Sequence, residues 1–128
     1  MPFSGGLCDS DVLGRTVLIV DDHPGFRSAA RALLEAADFD VVGEAADGAA
    51  AIAAVAELQP DVVLLDVQLP ELDGFGVAEQ VGDCGAVIVL TSSRSAASFK
   101  RRLAANPAWF FIPKSDLSGP ALHAAAGG

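Results

Sequence analysis

Four short runs of β-branched and other apolar residues recur along the chain without polar alternation, and they constrain its fold more than any other feature. The runs are Thr16–Val20, Val41–Ala45, Val62–Leu65 and Val87–Leu90, with a weaker fifth run at Trp109–Ile112. A continuous apolar run is typical of a strand that is buried on both faces. These segments therefore predict a parallel sheet that is covered by helices.

Segments with helical spacing separate the runs, and this alternation predicts βαβ units with right-handed crossovers. The first helix begins at Pro24, because the missing N–H of proline costs nothing in a first helical turn. The five predicted helices are Pro24–Ala37, Gly48–Leu58, Phe75–Val81, Ser95–Ala105 and Asp116–Ala126. The sequence thus predicts an α/β protein with a five-stranded parallel sheet and five helices.

Length, charge and cysteine content narrow the class of protein further. The 128 residues suit one domain, and an apolar fraction of 52% excludes a disordered acidic chain. The formal net charge of −9 argues against direct contact with nucleic acid or an anionic membrane surface. No apolar stretch reaches the ~18 residues that a membrane span needs. With only Cys8 and Cys84, the composition fits a reducing cytoplasm.

Polar side chains follow the carboxyl ends of four predicted strands. They are Asp21 and Asp22 after the first strand, Asp66 after the third, Thr91 after the fourth and Lys114 after the fifth. Ligands of parallel α/β sheets bind at this edge, so the five side chains are expected to converge. Carboxylates ~4 Å apart repel by ~4 kcal/mol at an effective dielectric of ~20, which predicts a cation among them. Oxygen ligands favour Mg²⁺, and Lys114 and Thr91 would then contact phosphoryl oxygens.

Five segments of the chain carry these side chains in a recurrent pattern. The segments are Val17–Pro24, Asp61–Pro70, Leu72–Gly74, Val87–Ser92 and Phe111–Ser115. Together they resemble the receiver domain of two-component response regulators. The resemblance implies a receiver domain over residues 15–126, an N-terminal extension over 1–14 and a C-terminal tail over 127–128. It also implies a doubly wound, flavodoxin-like sheet with strand order 2-1-3-4-5.

The resemblance further implies a role for each side chain at the strand ends. Asp66 would be the phospho-acceptor, with Thr91 and Lys114 acting on its phosphoryl group. Thr91 and Phe111 would form a switch pair that changes the surface of the fourth helix, fifth strand and fifth helix. The implied ligands of Mg²⁺ are Asp21, Asp22, Asp66 and the backbone carbonyl of Gln68.

The implied function is a phospho-accepting signalling switch that receives its phosphoryl group from a histidine kinase or a phosphotransfer protein. Its only activities would be Mg²⁺-dependent self-phosphorylation and autodephosphorylation, and it could form a homodimer through the switch surface. One alternative is an interaction module of the same fold that is never phosphorylated, which weak Mg²⁺ binding would indicate. Another is a hydrolase with Asp66 as nucleophile, although the predicted loops are too short for a lid.

Three neighbouring features are interpreted as structural. His23 follows the acid pair and is interpreted as a loop histidine, because Mg²⁺ prefers oxygen ligands. The basic run Lys100–Arg102 is interpreted as a solvated helix face. The stretch Gly74–Val87 is a few residues shorter than is usual in the family, which predicts a short third helix.

Overall fold

The computed structural model describes residues 15–82 and 85–127, and in that part of the chain five parallel strands form one sheet. The strands are β1 (Thr16–Val20), β2 (Asp40–Ala45), β3 (Val62–Asp66), β4 (Val87–Ser92) and β5 (Phe110–Pro113). Their spatial order is β2-β1-β3-β4-β5. The predicted fold class and strand order are therefore confirmed. The order reverses direction at β1 and β3, which is where open α/β sheets bind their ligands.

Helices cover both faces of the sheet, as doubly wound topology requires. They are α1 (Pro24–Ala36), α2 (Gly48–Leu58), α3 (Gly74–Gln80), α4 (Lys100–Ala104) and α5 (Gly119–Gly127). Alternate residues of the strands divide between two cores: Leu18 and Val20 pack with α2 and α3, and Val17 and Ile19 pack with α1 and α5. Within the described residues, no helix has the length and apolar character of a membrane span.

The prediction of one continuous fourth helix is wrong. Instead of one helix over Ser95–Ala105, a 3-10 turn at Ala96–Phe99 leads into the short α4. The backbone leaves helical geometry at Phe99, with φ of −122° and ψ of 16°. This break turns the Phe99 ring toward the rings of Phe75 and Phe111, each 5.7 Å away between centroids. Packing of the aromatic side chain has therefore overridden local helix propensity.

The predicted fifth helix begins three residues too early, and the fifth strand is displaced by one residue. A separate 3-10 turn occupies Lys114–Asp116, so α5 begins only at Gly119. The Oγ atom of Ser118 accepts a hydrogen bond from the Ala121 N–H at 3.1 Å, which is the geometry of an N-cap. Ser118 therefore caps the first turn of α5, and Asp116, where the helix was predicted to begin, lies in the preceding 3-10 turn.

Other boundaries agree with the sequence to within two residues, and α3 is short as predicted. The expected extension over residues 1–14, Cys8 and Cys84 lie outside the described residues. Lys100, Arg101 and Arg102 are exposed. Arg102 nevertheless contacts α3 and the turn before it, because its guanidinium lies 4.0 Å from the centre of the Phe75 ring and 3.5 Å from Asp73 Oδ2.

Candidate functional site

Three carboxylates and one imidazole meet at the carboxyl ends of β1 and β3. Ligand atoms of Asp21, Asp22, His23 and Asp66 all lie within 4.8 Å of one another. Asp21 is 0% and Asp66 is 2% exposed, whereas Asp22 and His23 face solvent. The Asp21 N–H donates to the carbonyl of Ala45 at 3.0 Å, so the ladder between β1 and β2 fixes this buried carboxylate. The predicted carboxylates do converge, and a histidine interpreted as a loop residue joins them.

The ammonium of Lys114 lies between the two buried carboxylates. Its Nζ atom is 2.7 Å from Asp21 Oδ2 and 3.7 Å from Asp66 Oδ2. It also lies 4.3 Å from the centre of the Phe26 ring, a cation–π contact from the first turn of α1. An ammonium at these distances offsets part of the repulsion between the carboxylates. The structure therefore places Lys114 at the site, where the sequence predicted it.

The electrostatic environment of Asp66 disfavours its charged form. Burial raises the pKa of Asp66 to about 6, and the nearby Asp21 carboxylate adds to the shift. The Gln68 N–H, which donates to Asp66 Oδ1 at 3.2 Å, and the Lys114 ammonium lower this pKa in part. A perturbed carboxylate of this kind is common at functional sites, because it favours the arrival of a positive charge or a proton.

The donor set of this cluster fits a divalent metal ion. Asp21 Oδ2 is fully buried, and no donor among the described residues is aligned to form a hydrogen bond with it. The contact between Asp21 Oδ2 and Lys114 Nζ is thus an ion pair that lacks hydrogen-bond geometry. Carboxylate oxygens are the ligands that hard divalent cations prefer. The cluster could therefore bind a metal ion through Asp21, Asp22 and Asp66.

The two predicted switch residues lie on the neighbouring strands. Thr91 is fully buried and pairs with Asp66 in the register of β3 and β4. Its Oγ1 atom donates to the carbonyl of Ile112 at 2.6 Å, so the hydroxyl is already engaged with β5. The ring of Phe111 is half-buried against Phe99. Thr91 is thus beside Asp66, whereas Phe111 is part of an aromatic cluster with α3 and the turn before α4.

Sequence reasoning missed two contacts of the site. One is His23, whose ring Nδ1 lies 3.1 Å from Asp21 Oδ1 and 3.0 Å from Asp22 Oδ1. Its position directly after the acid pair was an available signal. The other is Phe26, whose ring contacts Lys114; no local sequence pattern indicates this contact, because the two residues come from distant parts of the chain.

The acidic cluster and the lysine thus lie at the switch point of a doubly wound, flavodoxin-like sheet, where this class of α/β protein binds its ligands. The family model of the response regulator receiver domain matches residues 17–125. This chain therefore belongs to the response regulator receiver domain family, which is a family of signalling domains. Receiver domains interact in general with histidine kinases or phosphotransfer proteins.

Known relatives and solved structures agree with this assignment. BvgA of Bordetella pertussis is 36% identical over 104 residues, which are 79% of this chain and 50% of BvgA. The transcriptional regulatory protein LiaR of Bacillus subtilis is 40% identical over 82 residues, which are 59% of this chain and 38% of LiaR. The signal receiver domain of Mycobacterium tuberculosis NarL is 33% identical, with a TM-score of 0.76 over 91% of this chain and 98% of that domain. The chain thus spans half or less of the length of these two curated relatives.

Proposed function

We propose that this domain is a phospho-accepting signalling switch in which Asp66 receives the phosphoryl group. The observation that carries the proposal is the placement of the Lys114 ammonium between the buried carboxylates of Asp21 and Asp66. The receiver domain itself is proposed to span residues 15–126, in keeping with the family match to residues 17–125. The phosphoryl donor is a histidine kinase or a phosphotransfer protein, and the proposed compartment is the cytoplasm.

The proposed chemistry is an in-line phosphoryl transfer to an oxygen of Asp66. A carboxylate oxygen attacks the phosphorus, the bond from phosphorus to the donor breaks, and the leaving group takes up a proton. With a pKa of about 6, Asp66 is mostly ionised at neutral pH and can act as the nucleophile. The product is an acyl phosphate, a mixed anhydride. Attack of water on its phosphorus restores Asp66 and releases inorganic phosphate.

The neighbours of Asp66 have two proposed roles: the basic one binds the phosphoryl group and the acidic ones bind a metal ion. Lys114 provides a fixed positive charge for a phosphoryl oxygen, because its ammonium already lies 3.7 Å from Asp66 Oδ2. Asp21, Asp22, Asp66 and the Gln68 carbonyl are the proposed ligands of Mg²⁺. When bound, Mg²⁺ would neutralise charge on the phosphoryl oxygens and on the carboxylates.

The proposed output is a shift between two conformations of the β4–β5 side of the sheet. The Thr91 hydroxyl would leave the Ile112 carbonyl and donate to a phosphoryl oxygen on Asp66. Phe111 would then move toward the space beside Thr91 and away from Phe99. Because Phe99 is the last residue of the 3-10 turn that leads into α4, this movement would change the surface of α4, β5 and α5.

Phosphorylation by a small donor tests the proposal directly. Incubation with acetyl phosphate and Mg²⁺ is expected to add one phosphoryl group to the wild-type protein, and Asp66→Asn is expected to abolish the addition. Intact-mass spectrometry measures both. Asp116→Asn is the matched control, since this carboxylate is exposed and follows Lys114 by two residues. Equal labelling of Asp66→Asn would reject the assignment, and an unlabelled wild type would favour the interaction module.

Dimerisation through the switch surface is a second expected outcome. This surface includes the ring of Phe110, which is 41% exposed on the edge strand β5, and the exposed charged residues Lys100 and Arg101 on α4 and Asp116 after β5. A surface that combines an exposed apolar residue with charges of both signs suits a self-complementary interface. Beryllofluoride with Mg²⁺ is expected to raise the dimer fraction of wild type but not of Asp66→Asn in sedimentation velocity. A monomer with and without beryllofluoride at high concentration would contradict this expectation.

A further inference from the structure

The aromatic ring of Phe26 contacts the candidate site, although the proposed phosphoryl transfer makes no use of it. The centre of the ring lies 4.3 Å from Nζ of Lys114, which is the distance of a cation–π interaction. Phe26 lies in the first turn of α1, and its half-buried side chain packs against the core formed by the sheet, α1 and α5. Packing against this core therefore holds the ring in place beside the lysine.

Two kinds of contact hold the ammonium of Lys114. The first kind is electrostatic attraction to carboxylates, since Nζ lies 2.7 Å from Asp21 Oδ2 and 3.7 Å from Asp66 Oδ2. The nearer of these contacts lacks hydrogen-bond geometry, so it does little to fix the direction of the ammonium. The second kind is the contact with the face of the Phe26 ring, which is uncharged and attracts a cation through its quadrupole.

We infer that Phe26 is a positioning residue, which holds the Lys114 ammonium where it can bind a phosphoryl oxygen on Asp66. Asp21 and Asp66 are proposed ligands of Mg²⁺, so their charges are shared between the metal ion and the lysine. The ring offers no oxygen ligand to a metal ion, so its attraction for the ammonium is kept when the carboxylates are engaged. The inference rests on the proposed function, because it assigns Phe26 a role in the same phosphoryl transfer.

The contact itself can be measured without phosphorylation, because the sequence contains only two lysines, Lys100 and Lys114. Lys100 is exposed on α4 and serves as the internal reference. Protons that lie over the face of an aromatic ring are shifted upfield by its ring current. In protein with ¹³C at lysine Cε, the Hε resonance of Lys114 is therefore expected upfield of that of Lys100 in EDTA. This upfield shift is expected to remain with Mg²⁺ and to disappear in Phe26→Leu.

The rate of phosphorylation tests whether the contact matters for the reaction. Labelling by acetyl phosphate with excess Mg²⁺ is expected to be about three- to tenfold slower in Phe26→Leu, which keeps an apolar side chain without a ring. Incorporation of 3,4,5-trifluorophenylalanine at position 26 is the sharper test, because fluorine withdraws electrons from the ring face and nearly preserves its shape. This protein is also expected to be labelled at least about threefold more slowly than wild type.

Phe39 provides the matched control for fluorination. It belongs to the same core as Phe26, but its ring stacks on His123, with 4.2 Å between the ring centroids. The cation–π contacts of the described residues, Lys114 over Phe26 and Arg102 over Phe75, do not involve it. Trifluorophenylalanine at position 39 is therefore expected to leave the labelling rate unchanged.

The outcomes separate a positioning role from simple packing. If fluorination at position 26 leaves the labelling rate equal to that of wild type, the inference is overturned even where Phe26→Leu is slow or unfolded, because the ring then acts only through its volume. An Hε resonance of Lys114 that coincides with that of Lys100 in wild type would also overturn it. A wild type that acetyl phosphate does not label would instead reject the phospho-acceptor function, and the role of Phe26 with it, whatever the Hε resonance shows.

Discussion

Replacement of Gly74 with alanine is expected to lower the free energy of unfolding by about 3 kcal/mol, a loss typical of severe overpacking. A Cβ atom at this first residue of α3 would lie 2.3 Å from the carbonyl oxygen of Asp66 and 2.8 Å from Cα of Val67. Both neighbours are backbone atoms, so no change of side-chain rotamer relieves the overlap. The Gly74 N–H also donates to the Val67 carbonyl at 2.8 Å, which holds the two segments at this separation.

The matched control is another glycine close to the start of a helix. Gly25 in α1 has no atom within 4 Å of an added Cβ, so Gly25→Ala is expected to be neutral or stabilising by up to about 1 kcal/mol. Urea unfolding followed by circular dichroism measures both variants. Because the Gly74 overlap pushes on the backbone of Asp66, labelling by acetyl phosphate is expected to fall in any folded Gly74→Ala protein. Equal stability of the two alanine variants would contradict this account.

The topology of the sheet could be predicted from sequence because burial on both faces leaves a simple pattern. Every residue of β3, from Val62 to Asp66, is buried, and the corresponding run of letters contains no polar side chain before Asp66. The same rule placed the acidic residues correctly. Parallel strands bring their carboxyl ends to one edge, so Asp21 and Asp66 meet although they are 45 residues apart in the sequence.

Other features of the site depend on tertiary contacts that leave no local pattern. The Thr91 hydroxyl donates to Ile112, and this choice of partner depends on the pairing of β4 with β5. Lys114 lies over the Phe26 ring because α1 packs against the same end of the sheet. Phe99 breaks the expected fourth helix because its ring joins Phe75 and Phe111. Each of these outcomes is decided by packing between segments that are distant in sequence.

The acidic cluster also makes the stability of the metal-free protein depend on pH. The pKa of Asp66 is raised to about 6, mainly by burial and secondly by Asp21, whereas an aspartate in the unfolded chain has a pKa of about 3.9. The folded protein therefore binds this proton more tightly than the unfolded chain does. The stabilisation from Asp66 is fully present below pH ~4 and is lost as pH rises through about 6.

Asp66→Asn is accordingly expected to stabilise the metal-free protein by about 1–2 kcal/mol near pH 8 and to differ little from wild type near pH 4. The asparagine keeps an oxygen acceptor for the Gln68 N–H but loses the attraction to Lys114, which limits the gain. Asp22→Asn is expected to give a smaller gain, because Asp22 is exposed and its charge raises the pKa of Asp66 less than burial or Asp21 does.

Urea unfolding in EDTA at several pH values measures the difference between Asp66→Asn and wild type, so that the titration of other groups cancels. Asp116→Asn is the control for removal of a carboxylate outside the cluster. Mg²⁺ at about ten times its Kd is expected to stabilise wild type by ~1.4 kcal/mol and to stabilise Asp66→Asn less, since the variant has lost a ligand charge. If Asp66→Asn is less stable than wild type in EDTA at neutral pH, burial of the Asp66 charge does not destabilise the fold. If Mg²⁺ also stabilises both proteins equally, Asp66 is not a ligand of a metal site. The phospho-acceptor assignment would then lose its electrostatic basis, because the same buried charge that destabilises the metal-free fold is the one that attracts the cation and attacks the phosphorus.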